Sequence, residues 1–312
     1  MAKRVLWALI GAPAALMGCS SSDSDLPTDP PTSVTKVTSG GFSSPTDAVS
    51  SPDGKTFYFA AYDDEKEPAI FKTSSAPGSA AEALTIGAPL ASPMGLVMSC
   101  DGATLIVADL ATSNADGTQI GALLSLPVGG GVVSDLGATG IERPAGLAMG
   151  PDCKTLYITG RTTDGKPGLF SMSIAGGGAS LVYGGDPLVS PTGLHVDKGG
   201  VAWVMDHRAQ GSAGAGVLFA IPADGSSANE IASDLRMGTP GGVSLTAGGG
   251  TAVIPTRDRE GVGQLTTVNI TTGETTQVSA PDMVDPAGLR TARGAGVFAL
   301  VDSEGGAIYR AE

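Results

Sequence analysis

Pro93-Met94-Gly95-Leu96-Val97-Met98-Ser99-Cys100-Asp101-Gly102-Ala103-Thr104-Leu105-Ile106-Val107-Ala108-Asp109 reads as strand, tight turn, strand. Two apolar runs flank Asp101-Gly102, where glycine supplies the positive φ of a hairpin turn at little steric cost. The same phrase recurs along the chain. It opens at Pro45, Pro93, Pro144, Pro191, Pro240 and Pro286, at successive intervals of 48, 51, 47, 49 and 46 residues. A third apolar run follows each hairpin: Ala69–Phe71, Leu123–Leu126, Gly168–Met172, Gly216–Ile221, Gln264–Val268 and Ala307–Tyr309. Most continue through a Gly-rich turn into a more polar fourth run such as Ser180–Tyr183. Self-similarity at this period, with four short strands per unit, predicts an all-β, six-bladed β-propeller of four-stranded antiparallel blades.

The two ends of the repeat array predict closure. The sixth unit stops after its third run, at Glu312, while Val34–Thr38 precedes the first proline and belongs to no unit of its own. An N-terminal strand that completes the last blade would close the ring and remove an exposed edge. The propeller then spans residues 33–312.

The segment before it has a different chemistry. Lys3 and Arg4 precede an apolar run from Val5 to Met17, too short for the ~20 residues a spanning helix needs. This is the layout of a secretory signal over residues 1–18. The run ends in Leu16-Met17-Gly18-Cys19, which resembles a bacterial lipobox with Cys19 as the acylated residue. Residues 19–32 are polar and Pro-rich and read as a flexible tether. The expectation is a lipoprotein (a palmitate-type acyl anchor) exported to the cell envelope, on the outer membrane or a periplasm-facing membrane surface.

Charge narrows the partners. The 312-residue chain carries 18 Lys and Arg against 31 Asp and Glu, a net charge of −13, and removal of residues 1–18 would make it −15. Nucleic acid normally requires a basic face and is excluded. Aromatic residues are 4% of the chain, which speaks against stacked platforms for sugars or bases.

With the repeat in view, the chain resembles the six-bladed superfamily of NHL-repeat proteins and gluconolactonase-like (SMP-30-like) lactonases. The resemblance rests on the P-x-G-L/V openings, the SPDGKTFYF-type hairpin and endings such as Val107-Ala108-Asp109, and covers roughly residues 33–312. It implies the fold, and it implies a lactonase with an axial divalent cation held by a Glu near the start of the first blade and by Asn or Asp in the P-x-G slots. Here those slots hold Thr46, Met94, Ala145, Thr192, Gly241 and Ala287. None is a carboxylate or amide, and a hard cation requires several such oxygens. No metal ligand is carried over, and no cofactor is expected.

The remaining candidates are polar residues near the predicted axis. Asp109, Asp206 and Asp302 end the second strand of units two, four and six. They are read either as part of a binding mouth with Asp47, His195, His207, Arg257 and Arg290, or as caps that bond backbone N–H groups of the next turn. His195 and His207 are the only histidines, so a zinc site or a His-based triad lacks candidates. Cys100 and Cys153 lie in hairpin turns of adjacent units, and an even pair in an exported protein suggests a disulfide. Two separate thiols are the alternative, because Cys100 aligns with Pro52 but Cys153 with Gly54. The expected role is a non-enzymatic, tethered binding or scaffold module, monomeric, for an envelope protein or a small polar ligand. The alternative is a divergent lactone or ester hydrolase.

Overall fold

The computed structural model describes residues 29–113, 117–118, 120–211, 214–246, 248–293 and 295–312. The signal segment, Cys19 and most of the tether lie outside the described residues. What is described is all β: six four-stranded antiparallel sheets arranged as blades of a closed ring.

Blade 1 is built from Ser43–Ser50, Thr56–Tyr62, Pro68–Ser74 and Ala81–Ile86. Blades 2 to 5 repeat this order, with inner strands Pro93–Met98, Leu147–Met149, Pro191–Val196 and Ser244–Leu245. Blade 6 contains Pro286–Thr291, Phe298–Asp302 and Ala307–Ala311, and its outer strand is Val34–Ser39 from the other end of the chain. Val34 pairs with Ala311 and Ser39 with Ala307. Beyond the ladder, Thr32 N–H donates to the Glu312 carbonyl at 2.8 Å. The closure expected from the unpaired first strand is therefore present.

Alternation along each strand explains why the blades stack. Successive side chains point to opposite faces of a sheet. In Thr104–Asp109, Leu105 and Val107 pack toward blade 1, and Ile106 and Ala108 toward blade 3. Both faces of the sheet are buried, so the strand reads as an unbroken apolar run. Six such clusters fill the seams, one between each pair of neighbouring blades. The seam at the chain's join holds Phe42, Phe59 and Phe71, with Phe59 and Phe71 stacked at 5.3 Å between centroids.

Glycine at the third position of each phrase has a steric cause. A Cβ on Gly95 would stand 1.9 Å from the Ala145 carbonyl oxygen, and one on Gly146 2.0 Å from that of Thr192. Inner strands converge there, and only a residue without a side chain fits between neighbouring blades. Gly193, Gly242 and Gly288 occupy the same place in blades 4 to 6 and face similar contacts. Blade 1 alone carries a side chain at this position, and it is Asp47.

Candidate functional site

Antiparallel pairing gives the disc two faces. Prolines at the strand starts and the ends of the second strands lie on one, as shown by Pro191 opposite Asp206. Hairpin turns lie on the other. The three carboxylates at second-strand ends are fully buried on the proline face. Asp109 accepts N–H bonds from Ala91, Ser92, Ala111 and Thr112 at 2.8–3.1 Å. Asp206 does the same for Val189, Ser190, Arg208 and Ala209. Asp302 does so for Val284, Asp285 and Gly305. Of the two readings of these residues, the geometry is that of caps: each ties the loop entering a blade to the loop leaving its second strand.

The axis is closed by an ion pair. Asp47 accepts from Arg290 Nε at 3.2 Å and Nη2 at 3.0 Å, and from the N–H groups of Leu96 and Ala48 at 2.9 and 3.0 Å. Arg290 Nη1 donates to the carbonyls of Leu147 and Leu194, each at 2.6 Å. One guanidinium from blade 6 thus engages blades 1, 3 and 4, and the Asp47 carboxylate carries the link to blade 2. Burial pushes the Asp47 carboxyl above its usual pKa, and Arg290 and the two N–H donors pull against that rise.

Above this plug, toward the hairpin face, lies an axial cavity of about 310 Å³. Its wall is the fifth position of each phrase: Val49, Val97, Ala148, His195, Ser244 and Arg290. At this position blades 1 to 3 carry apolar groups, beside Met98 and Met149, and blades 4 to 6 carry polar ones, beside Leu194, Val196 and Leu245. Because Arg290 and Asp47 block the other end, the cavity is a cup and not a channel.

Charge in the cup is uneven. His195 Nδ1 stands 3.5 Å from Ser244 Oγ. Burial, aided by Arg290 and Arg293, lowers the His195 pKa to about 4, so the ring is neutral at pH 7. Asp197 has its oxygens engaged by Gly199 and Val201 N–H groups and by Trp203 Nε1. At the rim, Arg293 reaches across to Cys153 Sγ at 3.8 Å. It has no carboxylate partner among the described residues. The side chain is exposed overall, and desolvation of its guanidinium depresses its pKa. Lys198 also lines the mouth.

Cys100 and Cys153 form a disulfide with Cα atoms 5.7 Å apart. The offset between the two turns is resolved by Cys153 itself, which adopts φ +56° where the equivalent Gly54 has +73°. A left-handed backbone is costly for a residue with a Cβ, and here it lets the sulfur reach Cys100.

Other candidates fall outside the cup. His207 and Arg257 line a second cavity of about 320 Å³ on the proline face, with Arg236 and Arg259. The arginines there are paired: Arg257 with Asp285, and Arg236 and Arg259 with Asp234. The eight residues proposed for one axial mouth therefore divide. Asp47, His195 and Arg290 belong to the axis; Asp109, Asp206 and Asp302 are braces; His207 and Arg257 lie elsewhere. Sequence reasoning did not single out Arg293, Lys198 or Ser244. The signal that could have found Ser244 is its fifth position, shared with His195 and Arg290. Among the described residues, no group of three or more His, Cys, Asp or Glu is placed to hold a metal ion.

No family model and no curated protein matches the chain. Solved structures do. A chain from the crystal structure of a nidogen/laminin complex aligns at TM-score 0.57 and 15% identity, over 75% of this chain and 82% of that one. A protein described as a TolB from Agrobacterium tumefaciens aligns at TM-score 0.55 and 17% identity, over 89% and 96%. The chain has a β-propeller fold. At these identities the likeness speaks for the fold alone.

Proposed function

We propose that this chain is a membrane-tethered binding module of the cell envelope, a lipoprotein whose propeller holds a ligand at its axis without transforming it. The observation that carries the reading is the cup: six blades converge on one blind, half-apolar cavity floored by a fixed ion pair. Small-molecule sites are concave and mostly apolar, with a few placed polar groups. The tether joins the propeller on the same side. Val34–Ser39 starts at the hairpin face, because it pairs antiparallel with a strand that ends there. A chain anchored through Cys19 would present the cup on its anchored side. The P-x-G-L/V phrases support kinship with NHL-repeat and gluconolactonase-like propellers.

Hydrolysis is the second reading, and one contact favours it: His195 beside Ser244. A general base works best with a pKa near the operating pH. At about 4, His195 is a weak base at neutral pH, and Asp197 is engaged elsewhere. The test is a panel of lactones and esters offered to the full chain in a non-ionic detergent. The expected result is no saturable turnover; robust turnover abolished by Ser244→Ala would replace binding with catalysis. Tethering is tested separately. The chain should partition into the detergent phase and the Cys19→Ser chain into the aqueous phase; equal partitioning would remove the anchor from the reading.

A further inference from the structure

The cup has an uncompensated charge. Arg290 is cancelled by Asp47, and His195 is neutral. That leaves one carboxylate, Asp197, against Lys198 and Arg293. Asp197 is already engaged by two N–H groups and the Trp203 indole, and offsets one of the two cations. Among the described residues, Arg293 makes no hydrogen bond or ion pair beyond the Cys153 sulfur at 3.8 Å, a weak acceptor that leaves most of its five donors open. The surroundings make this notable. The whole chain carries −13, and the arginines of the second cavity each have a carboxylate at 2.9–3.3 Å. The same cup is lined by the apolar side chains of Val49, Val97, Ala148, Met98 and Met149. The cavity is at the small end of ligand sites.

We propose that the axial cup takes a small organic anion, a single carboxylate on a short apolar body, with the carboxylate at Arg293 and Lys198 and the apolar body against blades 1 to 3. This rests on the binding reading above and adds the ligand's class. A guanidinium matches a carboxylate in a planar, two-pronged geometry. The valine and methionine wall favours a hydrocarbon over a sugar, which would leave its hydroxyls unpaired there.

The experiment is calorimetric titration of the full chain in non-ionic detergent with hexanoate, hexanamide and hexylamine. These share an apolar body and differ in charge. Hexanoate should bind, with hexanamide at least about tenfold weaker and hexylamine undetectable, since a charged acceptor bonds a guanidinium more strongly than a neutral one. Arg293→Gln, at an exposed rim position, should weaken hexanoate about tenfold and leave hexanamide unchanged. Equal affinity for hexanoate and hexanamide would overturn the anion assignment and leave the binding reading standing. Hexanoate binding untouched by Arg293→Gln would overturn the placement of the carboxylate. No binding by any probe would overturn both the assignment and the cup as a binding site.

Discussion

Asp47 occupies the one third position that glycine does not, and its partner Arg290 lies 243 residues away. Removing one member of a buried pair leaves the other uncompensated and costs about 3–5 kcal/mol. Asp47→Gly should lose about that much. Asp47→Gly with Arg290→Val restores the pattern of blade 2 and should recover most of the loss. Urea unfolding of the four proteins in the cycle checks this; additive losses would mean that the pair does not couple. His195 makes a second residue-scale prediction. Its pKa falls from the ordinary 6.5 to about 4 in the folded chain. The folded state therefore resists a proton that the unfolded chain accepts, and stability drops as pH falls from about 6.5 to about 4. The expected contribution is about 2 kcal/mol, below the full shift at ~1.36 kcal/mol per unit because the ring edge opens to the cup. His195→Asn should flatten that part of the stability profile; parallel profiles for the two proteins would refute it. Less of the site than of the fold was legible in sequence, for a physical reason. Which position of a phrase faces the axis depends on blade tilt, so the sequence offered His195 and Arg290 as mouth residues without showing that they share the fifth position with Ser244. Asp47 was named as a mouth residue, but nothing local pairs it with Arg290.

At the scale of elements, the hairpin turns of blades 2 and 3 are joined by Cys100–Cys153 across 53 residues of chain. Cross-linking a loop of this length removes denatured-state entropy equivalent to about 4 kcal/mol in the chain-entropy picture. Cys100→Ser with Cys153→Ser should lower stability by roughly 2–4 kcal/mol, read from the urea midpoint. An unchanged midpoint would mean that the neighbouring seam alone fixes these turns. The strands themselves were legible because burial on both faces writes each as an apolar run between turn residues. The inner strands of blades 3 and 5 are shorter than their phrases suggest. Only Leu147–Met149 and Ser244–Leu245 pair regularly with the second strand. In blade 5 the reason is a change of partner. Gly238 and Gly242 donate their N–H groups to the Pro286 and Ala287 carbonyls of blade 6. At the crowded axis the neighbouring blade competes with the strand's own sheet, and a repeat pattern carries no record of that competition.

The ring as a whole is held by a join that differs from the other blades only in connectivity. Val34–Ser39 meets Ala307–Ala311 in a five-pair register with one bulge. The outer strand of blade 5, Thr275–Ser279, meets its neighbour in a register of the same five pairs, Gln264–Ser279 to Val268–Thr275. The outer position of a blade therefore accepts a strand from either direction along the chain. If closure is what matters, the place where the chain is cut should not. A permuted chain follows, with Glu312 joined to Ser33 by a short Gly-Ser linker and new ends between Thr272 and Gly273 in an exposed turn. Its first strand, Thr275–Ser279, would close blade 5 as Val34–Ser39 now closes blade 6. The two ends of the propeller already touch, with Ser33 N–H donating to the Glu312 carbonyl at 3.0 Å, so the linker need impose no strain. The permuted protein should be monomeric and unfold cooperatively within about 2 kcal/mol of the natural chain, since loop-closure costs vary slowly with length. Deleting residues 29–39 is the opposite change. It removes Val37, 1% exposed, from the seam cluster and leaves Ala307–Ala311 as an open apolar edge, a template for pairing between molecules. That protein should associate in size-exclusion chromatography and lose its single transition. A monomeric, cooperative deletion variant, or a permuted chain that fails to fold, would show that the join at blade 6 is not one equivalent site among six.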